Sequence, residues 1–282
     1  MSLDTAAASA QANQDDSRLD IRLRRLKEEG VGTGLYWWSE ALLVLTFYVV
    51  YSWSRNQFGS ATVQPDEALR NAVRVIDLEK ALGLFQELRI QEWFLDWTFF
   101  LQFWNLFYGT AHFAVTIFTL AWLYRRYPVL YPRLRSSFLC TTGLALVGFS
   151  LFPLMPPRLL ADCGEFGGCL AAYPFVDTLS EAGGLWSFDS GTMQKLSNQY
   201  AAMPSLHFAW AAWCALSLYS VLRSPFTRAL AVAYPVATLF AVIVTGNHYW
   251  VDALGGIAVL GAGVLLGRTL ADAWHRWTFS NA

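Results

Sequence analysis

Gly246-Asn247-His248-Tyr249-Trp250-Val251-Asp252 opens an apolar run that continues to residue 270, and Met203-Pro204-Ser205-Leu206-His207 opens another that continues to residue 222. Runs of about 20 residues with few charges have the length a helix needs to cross a bilayer. Polar residues at the mouth of such a run sit where a helix enters the membrane. Two histidines, a serine and an aspartate are thereby placed at that level.

Composition agrees. The 282-residue chain is 55% hydrophobic, 16% aromatic and only 15% charged, more apolar surface than one soluble core of ordinary proportions can hide. We therefore expect an all-α, polytopic membrane protein, a bundle of six transmembrane helices embedded in a lipid bilayer. The expected spans are residues 35–54, 97–124, 136–155, 206–222, 226–245 and 249–270. Residues 1–30 read as a polar mobile tail and residues 31–282 as one membrane domain. Net charge is −1 and the 20 basic residues are spread along the chain, which argues against a nucleic-acid partner.

Between the first two spans, Pro65-Asp66-Glu67 looks like a helix start and Leu69, Val73 and Ile76 recur at helical spacing, so an amphipathic surface helix is expected there. The second span carries Gln102, Asn105, Gly109, His112 and Thr116 on one face, which must look into the bundle because polar groups are costly against lipid. Arg125, Arg126, Arg133 and Arg135 read as an acid-free loop punctuated by Pro128 and Pro132. A long outer loop, rich in glycine and acids, joins spans three and four and holds Lys195, Cys163 and Cys169. That cysteine pair can close a small disulfide if the loop faces an oxidising compartment.

Six crossings put both termini and the second and fourth loops on one side. Those segments hold thirteen of the twenty basic residues: Arg18, Arg22, Arg24, Arg25, Lys27, Arg125, Arg126, Arg133, Arg135, Arg223, Arg228, Arg268 and Arg276. Both termini are then cytoplasmic and the protein sits multi-pass in the cell membrane. Arg158 after span three, Ser205 and His207 at span four, and His248 and Asp252 at span six converge on the extracytoplasmic face.

The chemistry follows from these residue types. Asp252, four residues after His248, can hold one imidazole nitrogen and leave the other free to act as nucleophile or base. His207 lies just inside a helix start after Pro204, where proline suits the first turn. Ser205 and the unpaired amides there can cap the helix, cradle an anion such as phosphate, or do both at different times. Arg158 offers a charged fork that fits phosphate oxygens. His112 and Asn105, on the polar face of span two, are possible accessories. His275, beyond the last span, reads as an ordinary tail residue.

Pro204-Ser205-Leu206-His207 and His248-x-x-x-Asp252 resemble the second and third signature blocks of the type-2 phosphatidic acid phosphatase superfamily. Pro156-Pro157-Arg158 and the stretches 76–87, 105–112 and 245–256 resemble most the branch holding the inositol phosphorylceramide synthases and related bacterial proteins. The resemblance implies a lipid phosphatase or phosphotransferase acting on a membrane lipid substrate. In that scheme His248 forms a phosphohistidine, Asp252 orients it, and His207 protonates the leaving oxygen. Water or an alcohol, inositol-like or glycosyl, then accepts the phosphoryl group, with no metal or other cofactor required. The sequence departs from the superfamily pattern at Leu151 and Val242, where cations are usual, and at Leu159, where proline is usual. Arg158 is then expected to carry more of the phosphate binding, with Lys195 or His112 as substitutes.

Two rival readings stand beside this one. His207, His248 and Asp252 could instead ligate zinc in a metal-dependent membrane hydrolase. The polar face of span two could line the pathway of a transporter, although no internal repeat is evident and the motifs sit at one surface.

Overall fold

The computed structural model describes residue 21 and residues 36–58, 63–181 and 198–280. Most of the expected N-terminal tail, and Lys195, lie outside the described residues. The elements are helices α1 (Trp37–Phe58), α2 (Pro65–Ala81), α3 (Glu87–Glu92), α4 (Thr98–Arg126), α5 (Tyr131–Leu151), a 3-10 turn (Pro157–Leu159), α6 (Thr178–Glu181), α7 (Leu206–Tyr219), α8 (Pro225–Val244) and α9 (Trp250–Ser280). No strand occurs among the described residues, apart from an isolated bridge between Leu154 and Ala201.

Among the described residues, four helices are long and apolar enough to cross a membrane: α4, α5, α8 and the stretch Trp250–Ala273 of α9. Large apolar side chains stand outward on them, among them Phe99, Ile117, Val236 and Leu265, the surface a bilayer would cover. The chain is built to be membrane-embedded. The expected count of six is met only in part. Among the described residues α1 (Trp37–Phe58) offers the apolar stretch Trp37–Val50, and α7 has 14 residues, about 21 Å at 1.5 Å per residue, short of a ~30 Å hydrocarbon core. Ser205 caps its start and its last turn closes at Ser220, three residues before the sequence pattern breaks.

Short as it is, α7 is the centre of the bundle. It packs against α4, α5, α8 and α9, and Ala209, Ala211 and Ala215 keep its surface slim enough for four neighbours. Its tryptophans find partners inside: Trp213 Nε1 donates to Leu134 O and Ser137 Oγ, both at 3.1 Å, and Trp210 Nε1 to Thr142 Oγ1 at 3.0 Å. Buried indole N–H groups need such acceptors where no water is at hand.

The closest helix pairing is α5 with α9. A Cβ at Gly263 would collide with Thr141, and one at Gly267 with the backbone of Ser136 and Ser137. Small residues allow this approach in lipid, where dispersion contacts must replace the hydrophobic effect. Gly261, on the same helix, meets nothing within 4 Å. It takes no part in the close approach.

Two local expectations are corrected. Arg133 and Arg135 lie in the first turns of α5 rather than in a loop, because Pro132 suits a helix start and Tyr131 already begins it. Both find acids from outside this stretch: Arg133 Nε pairs with Asp272 Oδ1 at 2.8 Å, and Arg135 pairs with Glu40, which also accepts from Tyr131 Oη. These bonds tie α1 and α9 to the foot of α5. The amphipathic helix α2 also differs from a helix lying on lipid. Its apolar face, with Ala68, Ala72, Val75 and Ile76, is covered by Leu154, Met155, Leu160, Phe175, Tyr200 and Tyr249. Asn71 Nδ2 donates to Pro153 O at 2.8 Å and Met155 N to Ala68 O at 3.2 Å. Helix α2 and the loops that follow α5 thus share a core of their own, braced by the Cys163–Cys169 disulfide that the spacing allowed.

Gly263→Val should force α5 and α9 apart and lower stability by about 1–3 kcal/mol, read as a lower melting temperature in detergent, whereas Gly261→Val should melt like the wild type. Equal melting of both variants with wild type would refute the close pairing.

Candidate active site

Three chain breaks build the site, and each is set by local sequence. After α8 the chain must reverse before α9 begins. Gly246 makes the turn at φ +69°, in the region L side chains rarely adopt, and a Cβ there would lie 2.8 Å from Gln91 Nε2. Asn247 N and His248 N then both donate to Val242 O, at 2.9 and 3.2 Å. His248 therefore precedes α9 instead of sitting in its first turn. The expected contact with Asp252 forms all the same: His248 Nδ1 lies 3.1 Å from Asp252 Oδ2, and Tyr249 N donates to the same oxygen at 2.9 Å. His248 is 3% exposed and Asp252 fully buried. A carboxylate on Nδ1 fixes the tautomer with the proton there and leaves the Nε2 lone pair available.

The second break precedes α7. Pro204 lies outside the helix, not in its first turn, and Ser205 is the cap, its Oγ accepting from Phe208 N at 3.4 Å. Ser205 N donates to Asp252 O at 2.9 Å, which locks the start of α7 to the start of α9. Ser205 is fully buried. That bond brings His207 beside His248, with ring centroids 5.8 Å apart.

Helix α4 supplies the walls. Tyr108 stacks on His207 at 4.4 Å with 26° between the planes, and His112 meets the same ring edge-on at 4.3 Å. His112 Nδ1 bonds to Tyr108 O at 2.9 Å, which assigns its proton to Nδ1. His112 thus joins the cluster, the partner that sequence alone did not name. Asn105 does not: its Nδ2 donates to Thr178 O at 2.8 Å and its Oδ1 accepts from Thr178 Oγ1 at 2.9 Å, so it anchors the outer loop through α6.

The third break follows α5. Arg158, 6% exposed, lies in the 3-10 turn and donates from its backbone N to Gly246 O at 2.8 Å. Its Nε bonds Asn247 Oδ1 at 3.1 Å, its Nη1 pairs with Asp177 Oδ2 at 2.7 Å, and its Nη2 bonds Gln199 Oε1 at 2.6 Å. The guanidinium is thereby tied to the residue that precedes His248. Asp177 also accepts from Leu179 N through Oδ1 at 3.1 Å, so its direction is fixed. A polar cavity of about 420 Å³ lies beyond Arg158, lined by Asp162, Glu165, Phe175, Asp177 and Gln199 among others.

The positions where cations were expected are occupied differently. Leu151 stands 79% exposed on the outside of α5, and Val242 is buried with its carbonyl holding the His248 turn. No group of three or more His, Cys, Asp or Glu among the described residues is arranged to hold a metal ion. Sequence reasoning missed Tyr108, Asp177, Gln199 and Asn247. Tyr108 had a signal, lying one helical turn before His112 on the polar face. Asp177 and Gln199 sit in aperiodic loop and had none.

This arrangement can do nucleophilic chemistry: a carboxylate-fixed imidazole, a second imidazole beside it, and a guanidinium held at its flank. A sequence profile of the PAP2 superfamily matches residues 73–266, the stretch that contains every residue of this cluster. No curated protein and no solved structure matches the chain.

Tyr108→Leu removes the face against which His207 rests and should lower turnover of any phosphate ester the protein accepts by roughly 2- to 12-fold, the range for an aromatic pair. Tyr108→Phe keeps the ring and should stay near wild type. Equal loss in both variants would show that the stack does not seat His207.

Proposed function

The chain belongs to the PAP2 superfamily, and from that premise we propose that it is a membrane enzyme cleaving a lipid phosphate ester through a phosphohistidine on His248. The observation that carries this reading is the pair of imidazoles in different states of restraint. His248 is bonded to Asp252 at 3.1 Å, and His207 is held by ring contacts with Tyr108 and His112.

In the proposed reaction, Nε2 of His248 attacks phosphorus while its Nδ1–H stays bonded to Asp252, whose negative charge steadies the imidazolium that forms. The bond from phosphorus to the lipid oxygen breaks, and His207 gives that oxygen a proton. In the second half, water or an alcohol loses its proton to His207 and attacks the phosphohistidine, and His248 is released unchanged. Arg158 steadies the phosphoryl oxygens, and Ser205, having capped α7, contributes to holding the group in place. Arg158 reaches the phosphoryl group only by sharing its fork with Asp177, Asn247 and Gln199, so those residues set its direction. The polar cavity beyond it offers room for the head group or for a hydroxylic acceptor. Lys195, from the outer loop, is a further phosphate contact in this proposal.

In this proposal the site belongs to the extracytoplasmic face of the cell membrane, with both termini cytoplasmic and α1 and the short helix α7 completing six passes. The pairing of Cys163 with Cys169 on the same side as Arg158 supports that placement, since disulfides persist in oxidising compartments. An inositol phosphorylceramide synthase-like transfer to a polyol is the finer form of the proposal. The transporter reading has no observation in its favour: Asn105 and His112 on the polar face of α4 are bonded within the protein, and Thr116 Oγ1 lies 3.5 Å from Cys214 Sγ.

The test is turnover of a panel of lipid phosphates by the purified protein, with and without inositol, by wild type and His248→Ala. We expect the variant to fall by roughly a thousandfold or more, with chelators leaving wild-type turnover intact. Turnover that survives His248→Ala would overturn the nucleophile, and turnover abolished by chelation and restored by zinc would favour the metal-dependent hydrolase. Release of free phosphate marks a phosphatase, and a phosphate ester of inositol marks a transferase.

A further inference from the structure

Helix α9 carries Asp252 in its first turn, and the first amides of any helix lack partners within it. Side chains close to them in sequence normally supply the cap. Here the partners come from far away. Val251 N donates to Glu79 Oε1 at 2.8 Å and Trp250 N to Glu87 Oε1 at 3.2 Å, while Tyr249 N takes Asp252 Oδ2. Three successive amides at the start of the helix thus each meet a carboxyl group, two of them from the outer helices α2 and α3.

Glu79 and Glu87 are both fully buried. Such acids are expensive to hide unless paired, and neither has a cation partner within 4 Å among the described residues. Their position is fixed by more than these two bonds. Gln91, also fully buried on α3, donates to Val176 O at 3.0 Å and accepts from Val176 N at 2.9 Å, next to the Asp177 that holds Arg158. The pair α2–α3 therefore touches the helix start that carries Asp252 and the loop that carries Asp177.

We propose that Glu79 and Glu87 are positioning residues of the active site, a buried carboxyl pair that seats the start of α9, and with it His248 and Asp252. The titratable groups facing Glu79 are Glu87 from α3 and Asp252 and Tyr249 from the start of α9. Burial first, and the neighbouring Glu87 next, push the Glu79 carboxyl up to about 9, so Glu79 holds its proton at neutral pH. Because that folded value lies above the ordinary 4.5, the contribution to stability is fully present below the ordinary value and is lost as pH rises through about 9. Above it, Glu79 would carry a buried charge beside Glu87 and Asp252 and the seat would loosen. The neutral acid keeps Oε1 as the acceptor for Val251, which an amide can imitate.

The test compares wild type, Glu79→Gln and Glu79→Ala as full-length protein in lipid nanodiscs. Hydrogen exchange of the peptide spanning residues 247–253, at neutral pH, reads the seat without any substrate. Glu79→Ala should exchange about tenfold faster at residues 250 and 251, the loss of one buried bond, and Glu79→Gln should match wild type. Unchanged exchange in Glu79→Ala, or equal acceleration in both variants, overturns the proposal. The second arm rests on the reaction proposed above. Wild-type turnover should fall as pH passes about 9, and Glu79→Gln should lack that fall; an identical alkaline limb in both proteins overturns the part played by the Glu79 proton. If wild type turns over no lipid phosphate, the functional reading fails, while the exchange arm still decides the role of the pair.

Discussion

One backbone hydrogen bond organises the molecule, that from Ser205 N to Asp252 O at 2.9 Å. It joins two helix starts that lie 47 positions apart and belong to different apolar runs. Within a bilayer every such group must be satisfied by the protein itself, so the two starts can meet only where both amides and carbonyls find each other. Once they do, the residues just before and after them have no freedom left. His207 comes to lie beside His248, and Asp252 offers a carboxylate oxygen inward while its carbonyl holds Ser205. Close packing of α9 on its neighbours serves the same end, since a Cβ at Gly256 would collide with Ser205 O at 2.7 Å.

The charges around this joint are arranged in a ring of mutual restraint. Arg158 is pinned by Asn247, Asp177 and Gln199, and Asp177 by the amide of Leu179. Asn247 is itself held by Thr245, through Oγ1 at 2.8 Å. A guanidinium so surrounded is pre-set in direction, which suits a site that must meet phosphate without reorganising. On the far side of His248, Glu79 and Glu87 hold the helix start in place. The outer helices and loops, which by composition look like coverings, are thereby joined to the reacting groups by named bonds.

Much of this was legible in the sequence. The mouths of apolar runs collected His207, His248, Asp252, Ser205 and Arg158 at one level, because polar residues bordering a span have few other places to be. The four long spans followed from length and composition, and the cysteine pair from its spacing. What was not legible depends on contacts between distant segments. Nothing in residues 206–222 says that the helix stops at Tyr219, since that is decided by packing among four neighbours. The pairing of Arg133 and Arg135 with Asp272 and Glu40 crosses more than ninety residues, so a run of arginines read as an open loop. Asn105 and His112 lie on one polar face with equal apparent promise, and only the positions of Thr178 and His207 divide an anchor from a member of the site.

The central claim is that His248 takes the phosphoryl group onto its ring. The most direct measurement is a rapid-quench single turnover with a lipid phosphate labelled at phosphorus, followed by digestion and location of any protein-bound label. The account predicts an acid-labile, base-stable label on the peptide containing His248, formed before product and lost on addition of acceptor. Product appearing with no protein-bound label, or label on a different residue, would contradict it.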